Sequence, residues 1–153
     1  MINNEHNGVF ERAEAICLER GVRLTKQRKT VLQQLCSSNK PLSAYELLER
    51  MRSDFKNPSP PTVYRALDFL MEQGLAHKIE SLNAYVGCAH PGHTHTTQFL
   101  ICVSCGEVVE VENHCINDSL NEASQAVGFC TKKPVIELLG TCEKCSENKK
   151  CDT

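Results

Sequence analysis

Residues 60–81 read PPTVYRALDFLMEQGLAHKIES, and the fold turns on how this stretch is parsed. Val63, Ala66, Leu67, Leu70 and Met71 fall at i, i+3, i+4, i+7 and i+8, which puts them on one face of a helix. Tyr64, Arg65, Asp68 and Glu72 fall on the opposite face. Pro60 or Pro61 suits the first helical turn, where a missing N–H leaves no bond unmade, and Gly74 suits the stop. Beyond the stop, LAHKIE and AYVGC are two β-prone runs joined by Ser81, Leu82 and Asn83.

Upstream the pattern gives three more helices. Residues 8–20 place Val9, Ala13, Ile16, Cys17 and Arg20 at helical spacing, with Gly21 as the stop. Cys17 on that stripe reads as a small core residue. Thr25 offers an N-cap to TKQRKTVLQQLCSS, whose Val31, Leu32, Leu35 and Cys36 share a face. Lys26, Arg28 and Lys29 crowd its first turn, where cations oppose the helix dipole. A phosphate backbone nearby and a solvated face each account for them. Ser43 and Glu46 form a capping box, with Leu42 and Leu47 as the hydrophobic staple. The run DFKNPSPP at 54–61 then ends the third helix.

Four helices, the last apolar inside and Tyr-Arg outside, followed by a two-stranded ribbon, describe a winged helix-turn-helix. In that arrangement the last helix enters the major groove and the ribbon is the wing. Arg65 has the fork that pairs with guanine O6 and N7. Tyr45 and Tyr64 can reach phosphate, sugar or a thymine methyl. A helical domain used for protein contact is the alternative.

Past Tyr85 the pattern changes. Residues 88–105, CAHPGHTHTTQFLICVSC, mix thiols with imidazoles and end in the knuckle Cys102-x-x-Cys105, closed by Gly106. A second knuckle, Cys142-x-x-Cys145, follows a folded segment. Two such knuckles can present four thiolates tetrahedrally to one Zn²⁺ at about 2.3 Å. TQFLIC, EVVEV and KPVIELLG read as strands, and HCINDSLNEASQAVGF as a helix with Ile116, Leu120, Ala123 and Val127 on one side. The expected class is α+β: a winged helix over 1–84, then a small α/β dimerisation domain over 85–153 carrying the knuckle pair. So small a core invites completion by a metal and by a second copy.

His77, Cys88, His95 and Glu110 offer a second, mixed donor set, and one sulfur with two imidazoles suits Zn²⁺ over iron or manganese. On residue types alone His90, His93 and His114 compete with these, as do Glu107 and Glu112. The sequence lacks H-E-x-x-H, and it lacks H-x-E followed by P-C-x-x-C. A zinc hydrolase or deaminase is therefore not expected, and two four-ligand sites would leave no position for water.

Composition narrows the setting. Ten cysteines at knuckle spacing point to metal and a reducing cytoplasm rather than disulfides. No signal peptide or bilayer-length apolar run is legible. The net charge of -2 hides an asymmetry. Residues 1–84 carry 12 basic against 10 acidic side chains, and residues 85–153 carry 5 against 9.

PPTVYRALDFLMEQGLAHKIES, the Cys-His segment, ICVSCG and the closing C-x-x-C together resemble the Fur family of metal-dependent regulators, and within it the zinc uptake regulators. The resemblance runs from the first helix to Cys145. It implies a homodimeric repressor of zinc uptake genes that binds double-stranded DNA at an inverted repeat when zinc fills a regulatory site. It assigns Cys102, Cys105, Cys142 and Cys145 to a structural zinc. It assigns His77, Cys88, His95 and Glu110 to a regulatory one, two ions per chain. It matches Tyr45, Tyr64 and Arg65 to DNA-contacting positions. The His-His-Asp-His cluster of iron-sensing relatives is replaced by HPGHTH, where His93 competes with His95. Cys115, Cys130 and Cys151 match no ligand.

Overall fold

A computed structural model of the chain describes residues 4–92, 96–132 and 134–146, with the side chains of residues 4–7 outside the description. The chain divides into two compact units, Met1–His93 and Thr94–Thr153.

The first unit is built on α4 (Pro60–Glu72), which follows α1 (Asn4–Glu19), α2 (Lys26–Ser37) and α3 (Ala44–Met51). Val63, Ala66, Leu67 and Leu70 are buried as their spacing requires. They meet Val31, Leu32 and Leu35 of α2 and Leu47 and Met51 of α3 in one core. Each fully buried Leu stabilises the unit by roughly 2 kcal/mol. The signalled ends are used: Thr25 accepts from the Arg28 amide at 3.4 Å. Ser43 Oγ accepts from the Glu46 amide at 3.2 Å while Glu46 accepts from the Ser43 amide at 2.8 Å. That amide, with the Ser43 hydroxyl, holds the Glu46 carboxyl below its usual range.

Two features depart from the sequence pattern. Phe69, off the expected apolar face, is buried in the core, and the Arg28 guanidinium lies over its ring at 3.6 Å from the centroid. Arg28 also donates to the Arg23 carbonyl at 2.6 Å, Lys29 pairs with Glu14, and Lys26 lies 5.6 Å from the Phe55 ring centre. The cations in the first turn of α2 thus have partners inside the unit. Glu49 and Arg52 pair with each other along α3 at 2.9 Å, an ordinary solvated i, i+3 pair.

The ribbon is antiparallel, β1 (Ala76–Ile79) on β2 (Ala84–Gly87), with His77 opposite Val86. A 3-10 turn over Glu80–Leu82 and a left-handed Asn83 (φ 46°) connect them. On its other edge β2 exchanges two bonds with Leu42, at 2.9 and 2.8 Å, which ties the wing to the start of α3.

In the second unit β3 (Gln98–Cys102) is the middle strand, with β4 (Val108–Val111) antiparallel on one side and β5 (Ile136–Gly140) parallel on the other. A parallel pair needs a crossover, and α5 (His114–Ala126) provides it. Its expected apolar stripe is poorly covered: Leu120 is 44% and Val127 79% exposed, and α5 has no buried residue. What holds α5 to the sheet is polar. Gln98, fully buried, donates to Asn117 Oδ1 at 2.9 Å and accepts from the Asn113 amide at 2.9 Å. No helix among the described residues is long and apolar enough to cross a membrane.

Gly87 packs against α2 so closely that an added Cβ would lie 2.7 Å from Cys36 Sγ. Gly87→Ala should destabilise the first unit by about 1–3 kcal/mol. Cys36→Ala in the same chain should recover most of that, and thermal melts of the four proteins in the double-mutant cycle check it.

Candidate metal centres and nucleic-acid interface

The parallel pairing of β3 with β5 sets Cys102 opposite Gly140, so both strands finish at the same end of the sheet. Each is followed by its knuckle. In the first, Gly106 takes a left-handed φ of 76° and donates to the Cys102 carbonyl at 2.9 Å. In the second, the Cys145 and Ser146 amides donate to the Cys142 carbonyl at 3.0 and 2.9 Å, opening the short helix α6 (Glu143–Ser146). The result brings the sulfurs of Cys102, Cys105, Cys142 and Cys145 within 4.8 Å of one another. Cys105 and Cys142 lie 3.8 Å apart, unbonded. A tetrahedron with Zn–S bonds of about 2.3 Å has edges of about 3.8 Å, so the set fits a zinc ion.

The electrostatics agree. The Cys142 amide donates to Cys102 Sγ at 3.3 Å, and with the Cys105 amide it draws that thiol down to about 6. The crowded thiols of Cys142 and Cys105 push Cys145 up to about 12. One sulfur is ready as thiolate at neutral pH, and the cluster resists losing further protons without a cation.

His77 and Cys88 form a second donor pair inside the first unit. His77 faces Val86 across the ribbon, and Cys88, two residues further along, falls on the same face as its diagonal neighbour. The Cys88 amide donates to the Leu75 carbonyl at 3.0 Å, so the ladder continues to this residue. Cys88 is buried and His77 half-buried, with donor atoms within 4.8 Å. Glu110 lies half-buried on β4 of the second unit, opposite Phe99. His95 and its competitor His93 lie outside the described residues. Of the other competitors, His90 and Glu112 are exposed, His114 sits 3.7 Å from Glu112, and Glu107 belongs to the first knuckle's strand exit. Cys115 and Cys130 are exposed, and Cys151 lies outside the described residues.

The outer face of α4 carries Tyr64, 49% exposed, and Arg65, also exposed. Arg65 makes no ion pair among the described residues. Tyr45, at the start of α3, is 70% exposed. Large aromatic rings left in water beside an uncommitted guanidinium suit a partner with both charge and stacking or methyl surface.

The ferric uptake regulator family pattern matches residues 19–139. The chain belongs to the ferric uptake regulator family. It is 43% identical over 144 residues to the zinc uptake regulation protein of Escherichia coli strain K12, covering 94% of this chain and 84% of that one. Among solved structures it resembles a zinc uptake regulator complexed with zinc and DNA. That likeness has 41% identity, a TM-score of 0.89, and coverage of 95% of this chain and 97% of the other. Holo XcZur is similar too, with 43% identity, a TM-score of 0.85 and coverage of 92% and 98%.

Family motifs single out the candidate ligands and the candidate DNA-facing positions, but not the groups that hold them. The Gln98–Asn117–Asn113 network and the Arg28–Phe69 stack carry no motif. A glutamine at an inward strand position was the one visible signal for the first.

Cys102→Ser should abolish retention of the zinc held by the knuckle pair and unfold the second unit, since the Cys142 amide loses its thiolate as well. Zinc released per chain on denaturation and the melting profile check this.

Proposed function

We propose that this protein is a zinc-responsive transcriptional repressor of zinc uptake genes, acting in the cytoplasm as a homodimer on an inverted-repeat operator. The observation that carries the reading is the His77–Cys88 pair. It is a thiol–imidazole donor set built into the root of a DNA-binding wing, five residues past the end of the recognition helix at its nearer member. A soft sulfur beside an imidazole favours zinc over the harder metals. The likeness to zinc uptake regulators over nearly the whole chain supports the same metal.

Two zinc sites per chain are assigned. Cys102, Cys105, Cys142 and Cys145 hold the structural ion. His77, Cys88, His95 and Glu110 form the regulatory site, taking two donors from each compact unit. When bound there, Zn²⁺ supplies a cross-link among these four side chains. His77 and Cys88 thereby fix the wing, and Tyr64 and Arg65 on α4 are presented to the major groove with Tyr45 beside them. Residues 1–84 serve as the DNA-binding domain, and residues 85–153 as the zinc-binding dimerisation domain. The exposed Leu100, Val109 and Leu138, cross-strand neighbours on one sheet face, are the surface a second copy would cover. Four protein donors at each ion leave no place for an activated water, so the role is regulatory and not enzymatic.

Fluorescence anisotropy of a labelled inverted-repeat duplex, titrated across buffered free zinc at fixed salt, tests the reading. Tight binding should appear with zinc and vanish with a chelator mild enough to spare the knuckle site. Equal binding at all zinc levels would sink the sensor, and absence of sequence preference would leave a zinc-buffering module. Cys88→Ser should abolish zinc-dependent binding while leaving a folded dimer. Arg65→Ala should weaken operator binding by about 1–3 kcal/mol and relax preference at one base position. A uniform loss over all sequences would make Arg65 a phosphate contact.

A further inference from the structure

We infer that α1 is a brace between the regulatory metal site and the recognition helix, with Arg12, midway along it, and Arg20, just past its last residue, as the positioning residues. The inference rests on the reading of His77 and Cys88 given above. The first unit joins α4 to the ribbon through Gly74, which takes a left-handed φ of 68° and has open space about it. Leu75 and Ala76 seat the start of the ribbon in the core that α4 shares, and α1 adds polar contacts on either side of the joint. Helix α1 spans the joint.

Midway along α1, Arg12 Nε donates to the Pro91 carbonyl at 2.8 Å, three residues past Cys88. Pro91 is buried. Gly92, with φ 96°, packs so near α1 that an added Cβ would lie 3.1 Å from Ile16 Cδ1. The chain leaving Cys88 is therefore seated on α1 and does not run loose over the surface. About two turns on, just past the last residue of α1, Arg20 Nη1 donates to the Gln73 carbonyl at 2.9 Å and to Gln73 Oε1 at 3.1 Å. Gln73 is the C-terminal cap of α4, whose last carbonyls have no partner within the helix and favour a cation. Between the two arginines, Ala13, Ile16 and Cys17 are buried in the core, and Glu14 pairs with Lys29 of α2. The element linking the two contacts is thus anchored along its length.

The geometry closes a triangle: ribbon to α4 through Gly74, α4 to α1 through Arg20, and α1 to the Cys88 exit through Arg12. Filling the regulatory site restrains the Cys88 exit, and a braced triangle passes that restraint to α4. Such a contiguous packed path is a physical route for coupling, and its worth is measured as a ratio of affinities.

The test uses the full-length parent, Arg12→Ala, Arg12→Lys and Arg20→Ala. Anisotropy of the inverted-repeat duplex gives the operator Kd with zinc saturating and with the mild chelator present. Both alanine variants should keep the knuckle zinc and the dimer, while the ratio of the two Kd values falls about five- to tenfold. Arg12→Lys, which keeps a donor of similar reach, should restore most of the ratio. A ratio within twofold of the parent in both alanine variants overturns the brace, including the case where affinity drops equally with and without zinc. A parent ratio of one overturns the zinc-responsive reading instead, and the brace with it.

Discussion

Sulfur atoms held within 4.8 Å of one another cannot all carry negative charge unless a cation sits among them. The second unit is organised around that constraint. Its middle strand β3 ends in Cys102, its parallel neighbour β5 ends just before Cys142, and the helix between them has no buried residue. With so little apolar burial, the knuckle pair and the Gln98 network supply what a larger core would. A structural zinc contributes on the order of 10 kcal/mol to such a fold. In the proposed repressor, the dimer and the spacing of two recognition helices would both rest on this unit.

The two donor sets divide the work by composition. Four sulfurs gathered on one unit suit an ion whose occupancy is a condition of folding. In the proposed regulatory set the donors are mixed, two imidazoles with one sulfur and one carboxylate, and filling such a site is not a condition of folding. Only the difference in zinc affinity between DNA-competent and incompetent arrangements is available for switching. Reciprocity then requires the operator to raise zinc affinity by the same factor.

Local signals were the legible part of the sequence. Thr25, the Ser43–Glu46 box, the Pro60 start and the Gly74 stop each act over a few residues, and the structure uses all of them. The knuckles were legible because metal geometry constrains spacing as well as type. Contacts made across the fold were not. Phe69 sits outside the expected apolar stripe of α4 yet joins the core, and Arg28, 41 positions earlier, covers its ring. Lys26, Arg28 and Lys29 pointed outward to a phosphate or solvent when read along α2, but their partners come from elsewhere in the first unit. The stripe of α5 was legible as a pattern and misleading as to burial, because a single chain leaves it open.

Charge explains why geometry matters so much to this fold. Residues 1–84 carry only two more basic than acidic side chains, so one winged unit has little general attraction for a polyanion. In the proposed repressor, affinity would then come from the winged units of two protomers engaging two half-sites at once. The second engagement is effectively intramolecular and multiplies the first, but only when both helices reach their grooves together. A small change in the angle of α4 therefore alters binding far more than it alters any single contact. The proposed ligand pair at the root of the wing, close in sequence to the end of α4, is well placed to exert that leverage.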